Sequence, residues 1–198
     1  ESVDHGNFKA IFVTGGPGSG KDVIIRECIA ESKAVELNHI QAFDYLADKK
    51  TLSEKSHDFR REAIRHRGPL IINGPADSIE KMSYIKEELE SLGYRTMMVF
   101  VDTTNEVSKE RNTKLSRMMV ESLRHDKWKQ SQNNKVEYYN QFEDFVAFDN
   151  SNSFDSLEEE ITHTYQLIEN FLTNQTYSDV ALDWLENHGM LNINDKFN

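Results

Sequence analysis

At 198 residues, of which 37% are hydrophobic, the chain is long enough for one domain with a buried core. A formal net charge of −11 repels phosphate-rich partners at long range, so any nucleic-acid contact has to be local. Cys28 is the one cysteine, which excludes an intrachain disulfide and a cysteine-cluster metal site. No apolar run approaches the roughly 20 residues of a membrane-spanning helix and no signal-like region opens the sequence, so a cytoplasmic protein without membrane contact is expected.

In chain order, KAIFVTG (9–15) is rich in β-branched and aromatic residues and ends on glycine, the pattern of a buried strand. It runs into Gly15-Gly16-Pro17-Gly18-Ser19-Gly20-Lys21, and KDVIIRECIAES (21–32) then spaces Ile24, Cys28 and Ile29 helically. Strand, glycine-rich loop and helix together form the context of a phosphate-binding loop. The glycines let backbone N–H groups converge on phosphate oxygens, the helix start adds its positive dipole end, and Lys21 reaches the terminal phosphates. Asp22 stands where such loops carry a Ser or Thr that holds magnesium. A carboxylate there is either a direct or water-mediated magnesium ligand or the mark of a loop that binds without turnover.

KAVELN (33–38) is the second strand, and after it Asp44 is placed either to accept a proton from an attacking hydroxyl or to cap a helix beginning at DYLADKK. A polar helix over 53–68 carries Arg60, Arg61, Arg65 and Arg67, which present either a site for acceptor phosphates or a solvated cationic face. PLIING (69–74) is the third strand and ends on Asn73, with Asp77 the nearest carboxylate beyond it. A helix over 77–93 stops at Gly93, and RTMMVFVDT (95–103) is the fourth strand. A long helical region from about 105 to 139 follows, in which Arg111 and Arg117 form a phosphate-neutralising pair. Arg124, Lys127 and Lys129 add a local positive surface, with the two lysines read as belonging to a solvated face. DFVAFDN (144–150) is the fifth strand and 153–173 the closing helix. The segment 174–198 is set apart as a C-terminal amphipathic tail, with Val180, Leu182, Trp184 and Leu185 free to pack on the 1–173 domain or to form a homodimer. Five strands alternating with helices make an α/β protein with a parallel sheet covered on both faces.

The combination of GGPGSGK, an Asp after the second strand, ERNxxxxxR after the fourth and a final FVAFDNS resembles the P-loop kinases grouped with phage polynucleotide kinase and zeta toxin. The segment from Arg117 to Asn150 looks more particularly like small phage-encoded kinases, among them 5-hydroxymethyluracil DNA kinases. The resemblance covers about residues 8–172. It implies a three-layer P-loop fold with a small helical arginine lid, the cofactors ATP and Mg2+, and transfer to a hydroxyl on a nucleotide or nucleic acid, in a host cytoplasm if the chain is phage-encoded. It further implies that Lys21 holds the phosphates, Asp44 is the base, Arg111 and Arg117 form the lid, and Asn150 with Ser151 lies near the adenine. Aromatic residues such as Phe43, Tyr45 and Trp128 either receive the bases of a nucleic-acid acceptor or belong to the core. The rival expectations are a nucleoside monophosphate kinase and a non-catalytic nucleotide-binding module.

Overall fold

The computed structural model describes residues 6–152 and 156–190. The predicted part of the closing helix over 153–155, and the last residues of the tail, lie outside them. Five parallel strands, β1 (Lys9–Gly15), β2 (Val35–Asn38), β3 (Leu70–Pro75), β4 (Arg95–Asp102) and β5 (Asp144–Asp149), form one sheet in the order β2-β3-β1-β4-β5. All seven residues of β1 are buried, as a central strand covered on both faces requires. In register Gly15 stands beside Pro75 on β3 and Val101 on β4, which brings the ends of all three strands to one place. Ligands of open α/β sheets collect at such carboxyl ends.

The helices are α1 (Lys21–Ile24), α2 (His39–Ala47), α3 (Lys49–Ser53), α4 (Phe59–Arg65), α5 (Ile79–Ser91), α6 (Asn105–Thr113), α7 (Glu121–Gln141), α8 (Glu158–Thr173) and α9 (Asp179–Asn187). One face of the sheet is covered by a core that joins Phe12, Ile72, Met98 and Phe100 to Leu46 of α2, Met82 and Ile85 of α5 and Tyr138 of α7. The other joins Ile11, Val13 and Val99 to Ile24, Cys28 and Ile29 and to Ile168 and Phe171 of α8.

Several boundaries differ from the sequence expectation, each for a local reason. The helix after the loop is one α-turn followed by a π-helical segment, Ile25–Ile29, a geometry that periodicity at 3.6 residues does not distinguish. The helix after β2 begins at His39, because the Asn38 side chain accepts from Gln41 N while Gln41 reaches back to Asn38 N. Asp44 therefore lies inside α2 and does not cap it. The polar helix over 53–68 is the shorter α4, capped by Asp58, whose Oδ1 accepts from Arg60 N at 2.9 Å. The region 105–139 is divided by a segment over 114–120, where Asn112 bonds to both the N–H and the carbonyl of Met119.

The tail packs back on the domain. Ala181 and Leu185 are buried against Phe8, whose ring lies 5.5 Å from that of Trp184 and 6.1 Å from that of Tyr177. Ser178 caps α9 by accepting from Ala181 N and donates to Gly93 O at 3.3 Å. Gly93, at φ 101°, lets α9 approach so closely that a Cβ there would lie 3.0 Å from Ala181 N.

Candidate functional site

The loop between β1 and α1 is built from glycines that no other residue replaces without strain. Gly18 and Gly20 lie in the left-handed region at φ 72° and 75°. A Cβ on Gly15 would lie 2.5 Å from Val101 O, a backbone atom of the neighbouring strand that cannot yield.

The loop is then held from behind. Arg111 Nη1 donates to Gly18 O at 2.9 Å, Arg111 Nη2 to Asn150 O at 2.6 Å, and Asn150 Nδ2 to Ser19 O at 2.8 Å. Ser108 Oγ donates to Pro17 O at 2.6 Å and accepts from Arg124 Nη1 at 2.9 Å. Every one of these bonds engages a loop carbonyl or a group that holds one. The carbonyls of Pro17, Gly18 and Ser19 are held in this way, and Ser19 N–H donates to Gly16 O at 3.1 Å. Ser131 of α7 packs on Gly16, where a Cβ would lie 3.1 Å from its Oγ.

Lys21 is half-buried at the head of α1. Burial lowers its pKa, against the pull of Asp22, Asp77 and Glu36. Glu36 accepts from Asn73 Nδ2 at 3.0 Å, and Asp77 forms an ion pair with Lys127 at 3.2 Å. His39 belongs to the same group. Burial and then the charges of Lys81 and Lys21 depress its pKa, opposed by Asp77 and by a bond to the Asn73 backbone. Its ring packs on the end of β3, where a Cβ on Gly74 would lie 2.8 Å from His39 Cβ. Beyond Asp77 opens a cavity of about 700 Å³ lined by Phe43, Ser78, Lys81, Tyr84 and Gln130. The Phe43 and Tyr84 rings stand 4.8 Å apart at 47°, with Lys81 Nζ 5.0 Å over Phe43.

Among solved structures the chain is similar to a gluconokinase from Sinorhizobium meliloti, at 15% identity and TM-score 0.51, covering 84% of this chain and 96% of that one. It is likewise similar to a sugar kinase from Janibacter, at 17% identity and TM-score 0.50, covering 84% and 99%. The chain shares the α/β fold of these two structures. No protein-family model matches the sequence, and no curated protein matches it.

Within this fold the expected site residues fall into distinct places. Gly15, Gly16, Pro17, Gly18, Ser19, Gly20 and Lys21 form the loop. Asn150 lies behind it, buried, and Ser151 Oγ accepts from Thr104 N. Arg111 is half-buried and committed to loop carbonyls, whereas Arg117 is exposed in the segment before α7. Asp44 is exposed on α2 and is not among the charges acting on Lys21.

Arg124 corrects the expectation of a surface cation, since it is fully buried and bonded to Glu121, Asn105 and Ser108. Lys127 leaves the solvated face for Asp77. Trp128 donates its indole N–H to Thr103 O at 3.0 Å, and Tyr45 donates to Asp58 with Arg61 over its ring, so Phe43 is the one of the three aromatic candidates that lines the cavity. The arginines of α4 and its end do not form one face. Arg65 pairs with Glu62, and Arg67 turns to the carbonyls of Leu92, Ile64 and Arg65. His39 was missed because it sits next to a cap residue rather than in a recognisable motif.

Magnesium is the metal expected from the sequence, and the carboxylates near Lys21 suit it. Among the described residues no three His, Cys, Asp or Glu side chains gather to hold an ion by themselves. Magnesium does not need such a cage, because it keeps waters and takes phosphate oxygens with one or two carboxylates. Asp22 in the first turn of α1 and Glu36 of β2 act on Lys21, as does Asp77, which is paired with Lys127.

Proposed function

We propose that this protein is a phosphotransferase that binds ATP with magnesium on the loop 15–21 and transfers the terminal phosphoryl group to a hydroxyl held in the cavity beyond Asp77. The observation that carries the reading is the adjacency of two parts: a rigidly backed loop with Lys21 at its helix start, and an open cavity that shares Asp77 with it. Phosphoryl transfer asks for little covalent chemistry, so alignment of donor and acceptor and neutralisation of charge account for most of the rate. Lys21 supplies the cation at the phosphates, Asp22 and Glu36 would hold a metal that would neutralise phosphate charge, and exposed Arg117 is free to reach the transferred group.

The acceptor we favour is a nucleotide or a nucleic-acid terminus or base, of which 5-hydroxymethyluracil in DNA is the most specific form. The tilted Phe43–Tyr84 pair with Lys81 above it supports a planar, electron-rich ring. A sugar acid is the second reading. It is supported by the polar lining of Asp77, Ser78 and Gln130 and by the two structural neighbours, a gluconokinase and a sugar kinase.

Radiolabelled ATP offered with mononucleotides, single-stranded and hydroxymethylated DNA, and gluconate separates these readings. Label in a nucleotide or DNA supports the first, label in gluconate alone supports the second, and saturable ATP binding with no label in any acceptor leaves a binding module.

The proton of the acceptor hydroxyl has two candidate receivers, Asp44 and His39. His39 stands among the charges around Lys21, so its replacement is expected to matter more. His39→Gln is expected to lower kcat about 100-fold, the lower end for loss of a general base, and Asp44→Asn less than about tenfold. Because the imidazole is held below its usual 6.5, it is neutral at pH 7 and gains its proton only as pH falls through the depressed value. The kcat profile of the unaltered protein should therefore fall on an acid limb below pH 6.5 that is missing in His39→Gln. A larger loss in Asp44→Asn, with the acid limb intact in His39→Gln, would assign the role to Asp44.

A further inference from the structure

The sheet has two edges, and they are finished differently. β2 is four residues long, and Arg60 of α4 lies against it, its Nε donating to Glu36 O at 3.3 Å. β5 is six residues long, contains neither proline nor lysine, and pairs on one side only, with β4. A strand edge in that condition is an open template for another chain, which proteins otherwise blunt with lysine, proline or a covering segment. Asn150 N–H donates to Asp102 O at 2.8 Å, so by the alternation of a parallel ladder the peptide groups of Phe145, Ala147 and Asp149 point away from β4. Among the described residues no segment bonds to them.

The two faces beside this edge differ in chemistry. Register sets Phe145 beside Met98, on the face covered by α7, and sets Asp144 and Val146 beside Met97 and Val99, on the face covered by α8. On the α7 side the Tyr139 ring stands edge-on to that of Phe145 at 5.5 Å, and Val136 lies one turn earlier on the same helix face. These two are 65% and 64% exposed, so the apolar surface continues past the last strand. On the α8 side is a cavity of about 320 Å³, lined by residues 143–146 in succession together with Arg95 and Asn170. Successive strand residues point to opposite faces, so a cavity that touches them all reaches the backbone edge itself. Its charges are one guanidinium, Arg95, against two carboxylates, Glu143 and Asp144. Lys9 of β1 is buried and does not line it.

We propose that the β5 edge is a docking site for an extended segment of a partner protein in which basic and apolar residues alternate. The added strand pairs with Phe145, Ala147 and Asp149 and lays its apolar side chains on Phe145, Tyr139 and Val136. On its other face a basic side chain enters the cavity, where Glu143 and Asp144 receive the charge and the apolar walls receive the stem. The period of two along a strand lets one segment meet both requirements. Charge decides against a second copy of this chain. Two-fold antiparallel pairing of β5 with itself about Val146 and Ala147 sets Asp144 opposite Asp149 at each end, and each chain brings a net charge of −11. The same net charge favours encounter with a basic segment. The surface uses no residue of the loop 15–21 and stands apart from the reaction assigned there.

The probe is a short capped peptide of alternating lysine and valine, with glutamate–valine and lysine–serine peptides of the same length as controls. Titrated into the full chain, the lysine–valine peptide is expected to shift the amide resonances of Phe145, Ala147 and Asp149 saturably and to slow their hydrogen exchange. The glutamate–valine peptide is expected to do neither, and the lysine–serine peptide to bind at least about tenfold more weakly. Ala147→Pro removes one outward N–H from an edge strand, where proline is tolerated, and is expected to abolish peptide binding with ATP binding unchanged. Two exposed substitutions test the same edge without altering the backbone of β5: Glu143→Lys and Tyr139→Ser are each expected to weaken the lysine–valine peptide at least about tenfold. The proposal is overturned if the lysine–serine peptide binds as tightly as lysine–valine, if the shifts survive Ala147→Pro, or if Glu143→Lys and Tyr139→Ser leave the affinity unchanged. A chain that sediments as a dimer by itself and as a monomer in Ala147→Pro would give the edge to a second copy and overturn it equally.

Discussion

Replacing Lys21 with Met is expected to reduce phosphoryl transfer by at least about 1000-fold, or roughly 4 kcal/mol of transition-state stabilisation, with no loss of thermal stability. The two halves of that expectation have different origins. Stability is spared because the ammonium is already disfavoured by burial in the folded chain, as its lowered pKa records. An apolar side chain of similar length removes that cost. Activity is lost because the surroundings of Lys21 are acidic: Asp22, Asp77 and Glu36 all act on it. With the cation gone, a triphosphate arriving at the loop meets those carboxylates without the ammonium that offsets them, so affinity and turnover fall together. Excess magnesium should recover part of the affinity and little of the turnover, since the metal does not replace the donor that Lys21 places at the transferred group. Asp22→Ser should move the other way in affinity at low magnesium, by removing one of the repelling charges beside the phosphates. Calorimetric titration of ATP across a magnesium series, with labelled transfer measured in parallel, checks each point. Turnover within tenfold of the unaltered protein in Lys21→Met would remove the ammonium from the mechanism.

Much of this arrangement was legible in the sequence because it rests on short-range rules. KAIFVTG could be nothing but a buried strand once glycine closed it, and the same strand then fixed the direction of the loop and of the turn after it. All five strands were found within a residue or two, since β-branched and aromatic runs bounded by turn residues leave little freedom. α7 was legible as a helix but not as a part of the site. Its buried face consists of Arg124, Ser131, Asn134 and Tyr138, so hydropathy gives no stripe to follow. Those polar groups face inward because the ends of β3 and β4 offer backbone and carboxylate partners. Asn134 Nδ2 and Tyr138 OH both donate to Ala76 O, while Gln132 and Lys135 donate to the Asp102 carboxylate. A sequence shows which residues can bond, and only the three-dimensional neighbours show which do. The same limit explains Arg111. A guanidinium placed after the fourth strand reads as a free phosphate binder, yet here it is held by the carbonyls of Gly18 and Asn150 and acts on the loop from behind.

Arg124 is the other residue whose loss should be large, and the effect is expected on stability first. Arg124→Met should lower the unfolding free energy by about 3 kcal/mol, the lower end for breaking a buried ionic network. In a chain of this size that corresponds to a fall in Tm of about 6–12 °C. The side chain is fully buried and donates at 2.8 Å from Nε and again from Nη2 to Glu121, at 2.7 Å to Asn105 and at 2.9 Å to Ser108. Glu121 is half exposed and regains water when its partner leaves, which keeps the loss from being larger. Asn105 is partly exposed, but Ser108 is fully buried and has no such recourse. They sit at the start of α6, and Ser108 carries the bond to Pro17 O, so the strain of losing Arg124 is delivered to the phosphate-binding loop. Nucleotide affinity should therefore fall with stability in Arg124→Met. Ser108→Ala, which leaves the Glu121 and Asn105 bonds in place, should cost affinity with a smaller change in Tm. Arg124→Lys separates charge from geometry, because an ammonium cannot reproduce the two parallel bonds to Glu121 while also reaching Asn105 and Ser108. Thermal unfolding of the three variants beside ATP titrations gives the answer, and a lysine variant that melts with the unaltered protein would mean that charge alone, and not the fork of the guanidinium, holds α6 and α7 over the loop.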